Sequence, residues 1–363
     1  MIFQNSVVRF IAFFIPLKDM RENFVKSYSR KTKYAKLRDD NRRLFNENRR
    51  LFKENKNIKQ EISNIKNNEL SSIKQELLKI SSSLFSVSNV SSDRPRVYLS
   101  IACLALNEAP YLKEWIEYHK IVGVERIYYY DNGSDDNTLE VLKPYINEGT
   151  VVYHKADGYG IQSVIYNDAV CKYRHQTYWL ALLDLDEFLV PVDKDNMRNV
   201  LKDFERYPAV AINWVCFDTN GHKTKPIEHG GLVTANYTRV SKEYDVKVNR
   251  HIKSIVNPRQ VLYVNHSHYA IYNKGSGVTE NFEPVIGPFT KFHSSSKVRI
   301  NHYFTKSEEE YLQRHNKQKQ ISNRNRIAAL QKGWLVDQDF EQTTQDTVIQ
   351  KFLPKLKKNM GIE

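Results

Sequence analysis

The chain has 363 residues, 40% of them apolar and 27% charged, a balance expected of a soluble folded protein rather than a disordered or membrane-spanning one. Three Cys exclude a disulfide framework, and no run approaches the ~18–20 apolar residues that cross a bilayer. The net charge of +13 is uneven: residues 1–96 hold 21 Lys and Arg against 10 Asp and Glu, whereas 97–363 hold 34 against 32. A neutral body with a basic arm is therefore expected, not a nucleic-acid binder.

The arm opens with an apolar patch, Val7 to Leu17, interrupted by Arg9 and followed by Lys18, Arg21, Lys26, Arg30, Lys31, Lys33 and Lys36. No small-residue cleavage site follows it. Aromatic and basic residues together predict a segment, residues 1–36, that lies on an anionic membrane surface. From Leu37 the pattern changes to heptads. Leu37, Leu44, Leu51 and Ile58 share one core position, Asn41, Asn48 and Asn55 the other, and Leu70, Ile73, Leu77, Ile80 and Leu84 resume after a skip. Residues 37–85 are predicted to form a coiled coil that makes a homo-oligomer. The Ser- and Asn-rich residues 86–96 then read as a linker.

The body begins with Val97–Leu106, an almost continuous apolar run of the kind a strand shows when both faces are buried. A helix is predicted from Tyr111 to Val122, closed by Gly123, then a strand over Arg126–Tyr130. A helix over Asn137–Tyr145, a strand over Thr150–His154, a helix over Gln162–Tyr173 and a strand over Tyr178–Leu183 follow. Strands alternating with helices predict a parallel sheet with crossover helices, and such sheets bind ligands beyond the carboxyl ends of their strands. Polar clusters stand at those ends: Asn107 and Glu108, Asp131, and Asp184-Leu185-Asp186.

Two carboxylates one residue apart can approach one hard cation, and oxygen ligands favour Mg²⁺ or Mn²⁺ over zinc. An ion held by Asp184 and Asp186 would neutralise charge developing on a diphosphate leaving group. Asp131 opens the turn Asp131-Asn132-Gly133-Ser134-Asp135-Asp136 and reads either as turn chemistry or as an acceptor for a nucleoside.

These segments together resemble glycosyltransferase family 92 and its bacterial relatives, related to family 2. The resemblance rests on Asn107-Glu108-Ala109, Asp131-Asn132-Gly133-Ser134 and Asp184-Leu185-Asp186-Glu187-Phe188. It extends to Ile212–Phe217 with Gly221-His222, Lys253–Pro258, and Asn301-His302-Tyr303 with Lys306-Ser307. The resemblance implies an α/β fold of GT-A type, a Rossmann-like, mostly parallel sheet flanked by helices. Residues 97–191 would form the nucleotide-sugar-binding half, 192–307 the acceptor half and 308–363 a helical tail. It implies that Asn107, Glu108 and Asp131 contact the nucleoside and that Asp184, Asp186 and His302 hold Mn²⁺ or Mg²⁺. Gln162 and Asn167 could reach the donor sugar. A single inverting displacement would need a general base, and Glu283 and Asp218 stand as candidates, with Glu280 and Asp245 in the same half. Glu187 is expected to orient the site. His251, His266 and His268 are further candidates, and Trp214, Phe217, Tyr237 and Tyr269 could stack on a sugar.

The sequence thus predicts a metal-dependent hexosyltransferase using a nucleotide-sugar donor, in particular a UDP-sugar, and a glycan or lipid-linked acceptor of the lipopolysaccharide or capsule kind. It would sit in the cytoplasm, peripheral to the inner face of the membrane, without a nucleic-acid partner. The rivals are a nucleotidyltransferase, which the lack of a Gly-rich loop after the first strand disfavours, and a non-enzymatic coiled-coil scaffold with a nucleotide-binding head.

Overall fold

The computed structural model describes Arg50, residues 95–319 and residues 342–362. The expected membrane-surface segment, the coiled coil and all of the linker but its last two residues lie outside the described residues.

The first strand, β1 (Val97–Ala105), alternates its side chains between two cores. Leu99, Ile101 and Cys103 enter one apolar cluster and Ala102 the other. That two-sided burial explains the unbroken apolar run. Helix α1 (Ala109–Ile121) starts with Pro110 in its first turn, where the missing N–H is no loss. It buries Leu112, Trp115, Ile116 and His119 against β1 and its neighbours. Gly123 ends the turn at φ +99; a Cβ there would stand 2.6 Å from Asn196, the side chain that caps a later helix.

The pattern continues through β2 (Arg126–Asp131), α2 (Thr138–Asn147), β3 (Val151–Lys155), α3 (Gln162–Tyr173) and β4 (Thr177–Leu182). These match the predicted elements to within two residues at each end. Strand β1 pairs in parallel with both β2 and β4, and β2 with β3. Helices α1 and α2 cover one face, and α3 the other.

Beyond β4 the chain makes β5 (Glu187–Pro191), α4 (Met197–Leu201), β6 (Ala209–Cys216), α5 (Val233–Asn236), β7 (Arg239–Ser241) and β8 (Ile252–Val256). A hairpin of β9 (Val261–His266) and β10 (Tyr269–Tyr272) follows, then β11 (Gly277–Val278), β12 (Pro284–Val285) and β13 (Val298–His302). Strand β8 runs antiparallel between β4 and β6, so the sheet order is β12-β11-β6-β8-β4-β1-β2-β3. Strand β13 pairs with β5 and β6. This arrangement brings the start of β8 beside the end of β4, and His302 of β13 opposite Glu187 of β5.

The tail departs from the helical expectation. It contains α6 (Glu308–Lys319) and α7 (Leu353–Met360), but Thr343–Gln345 forms β14, antiparallel to β7. An exposed Thr-Thr-Gln stretch carries no apolar period, so only its backbone partner makes it a strand. Arg299 of β13 and Asp346 seal this attachment with two bonds of 2.7 and 2.6 Å, both side chains being buried.

Candidate donor site and the comparisons with known proteins

The ends of β1 and β4 and the start of α3 face one cleft of about 680 Å³. Asn107, Glu108, Asp135, Asp136, Gln162, Asp184 and Asp186 line it, with Tyr111, Lys306 and Glu310 from α1 and the chain around α6. The sequence-predicted polar clusters therefore meet where a parallel sheet puts its ligands.

Asn107 takes a left-handed backbone, φ +57, where Asn is among the tolerated residues. Its N–H donates to Ser134 Oγ (2.9 Å), and its Oδ1 accepts from the N–H of Asp135 (2.9 Å). Asp131 accepts from the Ser134 N–H (2.9 Å) and the Tyr153 hydroxyl (2.7 Å). Those bonds outweigh its burial and hold its carboxyl below the usual range. Asp131 thus ties the turn together from behind, and its neighbours Asp135 and Asp136 line the cleft. Glu108 faces Lys306 across the cleft at 3.9 Å, and the Lys306 ammonium stands 4.0 Å over the Tyr111 ring.

Asp184 accepts from Gln162 Nε2 and from Lys253 Nζ (2.9 Å). Lys253 lies 1% exposed on β8, and its ammonium also stands 3.4 Å from Glu187 Oε2. Glu187 Oε2 accepts the Asp184 N–H (2.9 Å), so this carboxylate fixes the turn that carries both aspartates. One ammonium thus serves two carboxylates. Asp184, a third exposed, forms the charge pair; burial pushes the fully enclosed Glu187 carboxyl well above the usual range. The sequence reading gave Lys253 no role. The signal was a lysine inside the apolar run Ile252-Lys253-Ser254-Ile255-Val256, where a charge needs a buried partner.

Asp186 lies 8% exposed, its Oδ1 3.6 Å from His302 Nε2. Among the described residues no three His, Cys, Asp or Glu side chains stand close enough to grip a metal. Of the three expected ligands, Asp186 and His302 are adjacent, and Asp184 lines the same cleft with its oxygens turned to Lys253 and Gln162. The two carboxylates suit Mn²⁺ or Mg²⁺, and an imidazole beside them is compatible with Mn²⁺ rather than with Mg²⁺.

Other expected residues have structural work. Asn167, proposed for the donor sugar, instead bonds both ways with the backbone of Val264 (2.7 and 2.8 Å) and pins α3 to β9. Asp218, 2% exposed, is clasped by Arg239 Nε at 2.8 and 2.6 Å. Glu280 accepts N–H bonds from Ser296, Lys297 and Val298, and Asp245 pairs with Arg250. Glu283 is exposed beside β12. Phe217 and Tyr237 are core side chains.

A model of glycosyltransferase family 92 matches residues 96–342. The chain belongs to glycosyltransferase family 92. It is 28% identical over 183 residues to a family 92 protein of Oryza sativa subsp. japonica, covering 48% of this chain and 30% of that one. It is 29% identical over 209 residues to a galactan beta-1,4-galactosyltransferase of Arabidopsis thaliana, covering 53% and 38%. The chain spans about a third of the length of these curated relatives. Among solved structures it matches S. aureus TarS 1-349 in complex with UDP-GlcNAc at 14% identity and a TM-score of 0.29, over 36% of this chain and 38% of that one. Among the described residues no helix is long and apolar enough to cross a membrane.

Proposed function

We propose that this chain is a family 92 glycosyltransferase of GT-A fold that moves a hexose from a UDP-sugar to a glycan acceptor, with inversion in one displacement. Galactose is the first donor sugar to test, because two of the matched relatives carry the name galactan beta-1,4-galactosyltransferase. The observation that carries the reading is the cleft, where the ends of β1 and β4 bring Glu108, Gln162, Asp184 and Asp186 to one space beside Lys306. Glu108 and the Asn107 turn would receive the nucleoside. Lys306 would face phosphate oxygens, and Glu187 with Lys253 would hold the aspartate turn still. Asp186 and His302, with Asp184 beside them, would hold Mn²⁺ or Mg²⁺, which would neutralise charge on the departing diphosphate.

The acceptor in this reading is a surface glycan such as lipopolysaccharide or capsule. The basic arm would keep the enzyme on the cytoplasmic face of a membrane, and the heptads would make it an oligomer. The decisive experiment measures the melting temperature of the full chain with UDP, with Mn²⁺ and with both, alongside UDP release from UDP-galactose. A ligand that binds only the folded state raises the melting temperature with its concentration. The expected result is a shift that needs both ligands, and loss of UDP release by 10²-fold or more, on the order of an electrostatic contact to the leaving group, in Asp186→Asn. No shift with any nucleoside diphosphate would overturn the reading in favour of an inert scaffold.

A further inference from the structure

Of ten large apolar side chains that stand exposed among the described residues, four fall in one loop of the second half. They are Phe282, Ile286, Phe289 and Phe292, at 37, 89, 48 and 59%. Single exposed apolar residues are ordinary, but a cluster of them marks an interaction surface. The loop is firmly held. Glu280 at its start accepts the N–H groups of Ser296 (2.8 Å), Lys297 (2.7 Å) and Val298 (3.0 Å) at its end, which closes the neck. Inside it, β12 pairs with β11 at the edge of the sheet. Directly after Ile286 the chain turns at Gly287, φ +95, and residues 288–290 return beside 250–252. There the Ile252 N–H meets the Pro288 carbonyl (3.1 Å) and the Thr290 N–H the Arg250 carbonyl (2.9 Å). A tied backbone that turns apolar side chains to water has little ordering left to lose on docking.

Cations accompany these rings. The Lys291 ammonium stands 5.1 Å over Phe292, and the Lys297 ammonium and Arg206 guanidinium stand 5.3 and 5.8 Å from the Phe282 ring. Across residues 281–297 the one acid is Glu283, against Lys291 and Lys297. Asp245, which accepts the His293 N–H, is neutralised by Arg250. The patch also adjoins the candidate site. Phe289 packs on His251 at 4.2 Å, His251 on Trp214 at 4.7 Å and Trp214 on His302 at 4.3 Å, and His302 Nε2 lies 3.6 Å from Asp186. Phenyl rings and an isoleucine carry no hydrogen-bonding edge for a glycan. Apolar groups among Lys and Arg suit an anionic bilayer, where the former enter the acyl boundary and the latter stay with the lipid phosphates.

We propose that the loop of residues 281–297 is a membrane contact of the catalytic body: Ile286, Phe289 and Phe292 enter an anionic bilayer surface while Lys291, Lys297 and Arg206 meet its phosphates. The contact is additional to residues 1–36 and does not depend on the donor reading. A single weak membrane signal holds a protein only marginally, whereas two together hold it stably. Docking on this loop turns the acceptor half toward the lipid, so a lipid-linked acceptor meets the cleft from the side of Phe289.

The test uses the full chain and vesicles of phosphatidylcholine, alone or mixed equally with phosphatidylglycerol, with partitioning read by flotation. The double variant Ile286→Ser, Phe292→Ser is expected to bind mixed vesicles about tenfold or more weakly, with its melting temperature unchanged. Lys291→Gln is expected to lose about fivefold on mixed vesicles and nothing on phosphatidylcholine alone. Ile227→Ser removes a side chain 86% exposed outside the loop and is expected to change nothing. Hydrogen exchange of the parent should slow across residues 286–292 when mixed vesicles are added. Partitioning of the double variant within about twofold of the parent overturns the proposal, since the contact would then lie elsewhere. An equal loss in Ile227→Ser also overturns it, as does a parent dimer that the double variant splits without any change in vesicle binding. A parent that docks on vesicles through this loop but binds no UDP removes the donor reading and leaves the membrane contact standing.

Discussion

The two halves of the body solve the same problem differently. In the first, strands β2, β1 and β4 are buried on both faces, and the polar residues at the strand ends bond into the turn that follows β2. Asp131 meets Ser134 three residues on, and Asn107 meets Ser134 and Asp135 one βα unit away. In the second, charged groups are buried and are held by partners on other strands and loops. Lys253 meets Asp184, Asp218 meets Arg239, Glu280 meets the backbone of 296–298, and Arg299 meets Asp346. A half held by apolar strands tolerates polar substitution in its loops. A half held by enclosed charges does not, because removing one partner strands the other.

The largest effect that could break this comparison is at Arg299. Arg299→Met leaves Asp346 enclosed without its cation and is expected to cost about 3–5 kcal/mol in urea unfolding. A loss under about 1 kcal/mol would show that the buried pair carries no special weight. Next comes Glu280→Gln, which keeps one accepting oxygen but turns the other into an NH₂ donor among backbone N–H groups, and is expected to cost about 1–3 kcal/mol at neutral pH. The Glu280 carboxyl is held below its ordinary 4.5 by bonds from Ser294 and from those N–H groups. A depressed folded value stabilises the protein above the ordinary value and loses that effect as pH falls through the folded one. Below about pH 4.5 the parent should therefore lose stability more steeply than Glu280→Gln, and equal slopes would contradict the assignment.

Asp131→Asn tests the first half. One of its two bonds can survive, so a cost of about 0.5–1.5 kcal/mol is expected, with the fold intact by circular dichroism. A larger loss than that of Arg299→Met would invert the comparison. The smallest effect is at Arg198, whose 2.6 Å pair with Glu125 is between exposed side chains. Arg198→Ala is expected to change stability by less than about 0.5 kcal/mol, and by less still in salt.

The same contrast explains what could be read from the chain alone. The βα repeat was legible because each element carries its own period, and β1 to β4 with their helices lie within two residues of expectation. The cleft was legible because parallel strands end on one side, which gathers Glu108, Gln162, Asp184 and Asp186. The second half was not, since nothing in the sequence near Asp218 names Arg239 as its partner. Nothing near Asn167 names the backbone of Val264. Lys253 was visible as a misplaced charge in an apolar strand, but its partners only appear when β8 is laid antiparallel to β4. The histidines were named one by one, and only the folded chain shows that His251, His268 and His302 meet at the single indole of Trp214.

The clasp between Arg299 and Asp346 also bears on the order in which this protein matures on the ribosome. The guanidinium emerges 47 residues ahead of the carboxylate that neutralises it. Until that later stretch is translated, β13 cannot settle beside β5 and β6 without enclosing a bare cation. His302, at the end of the same strand, would reach Asp186 only then, so the strand-and-helix repeat would be in place before the last side chain of the cleft arrives.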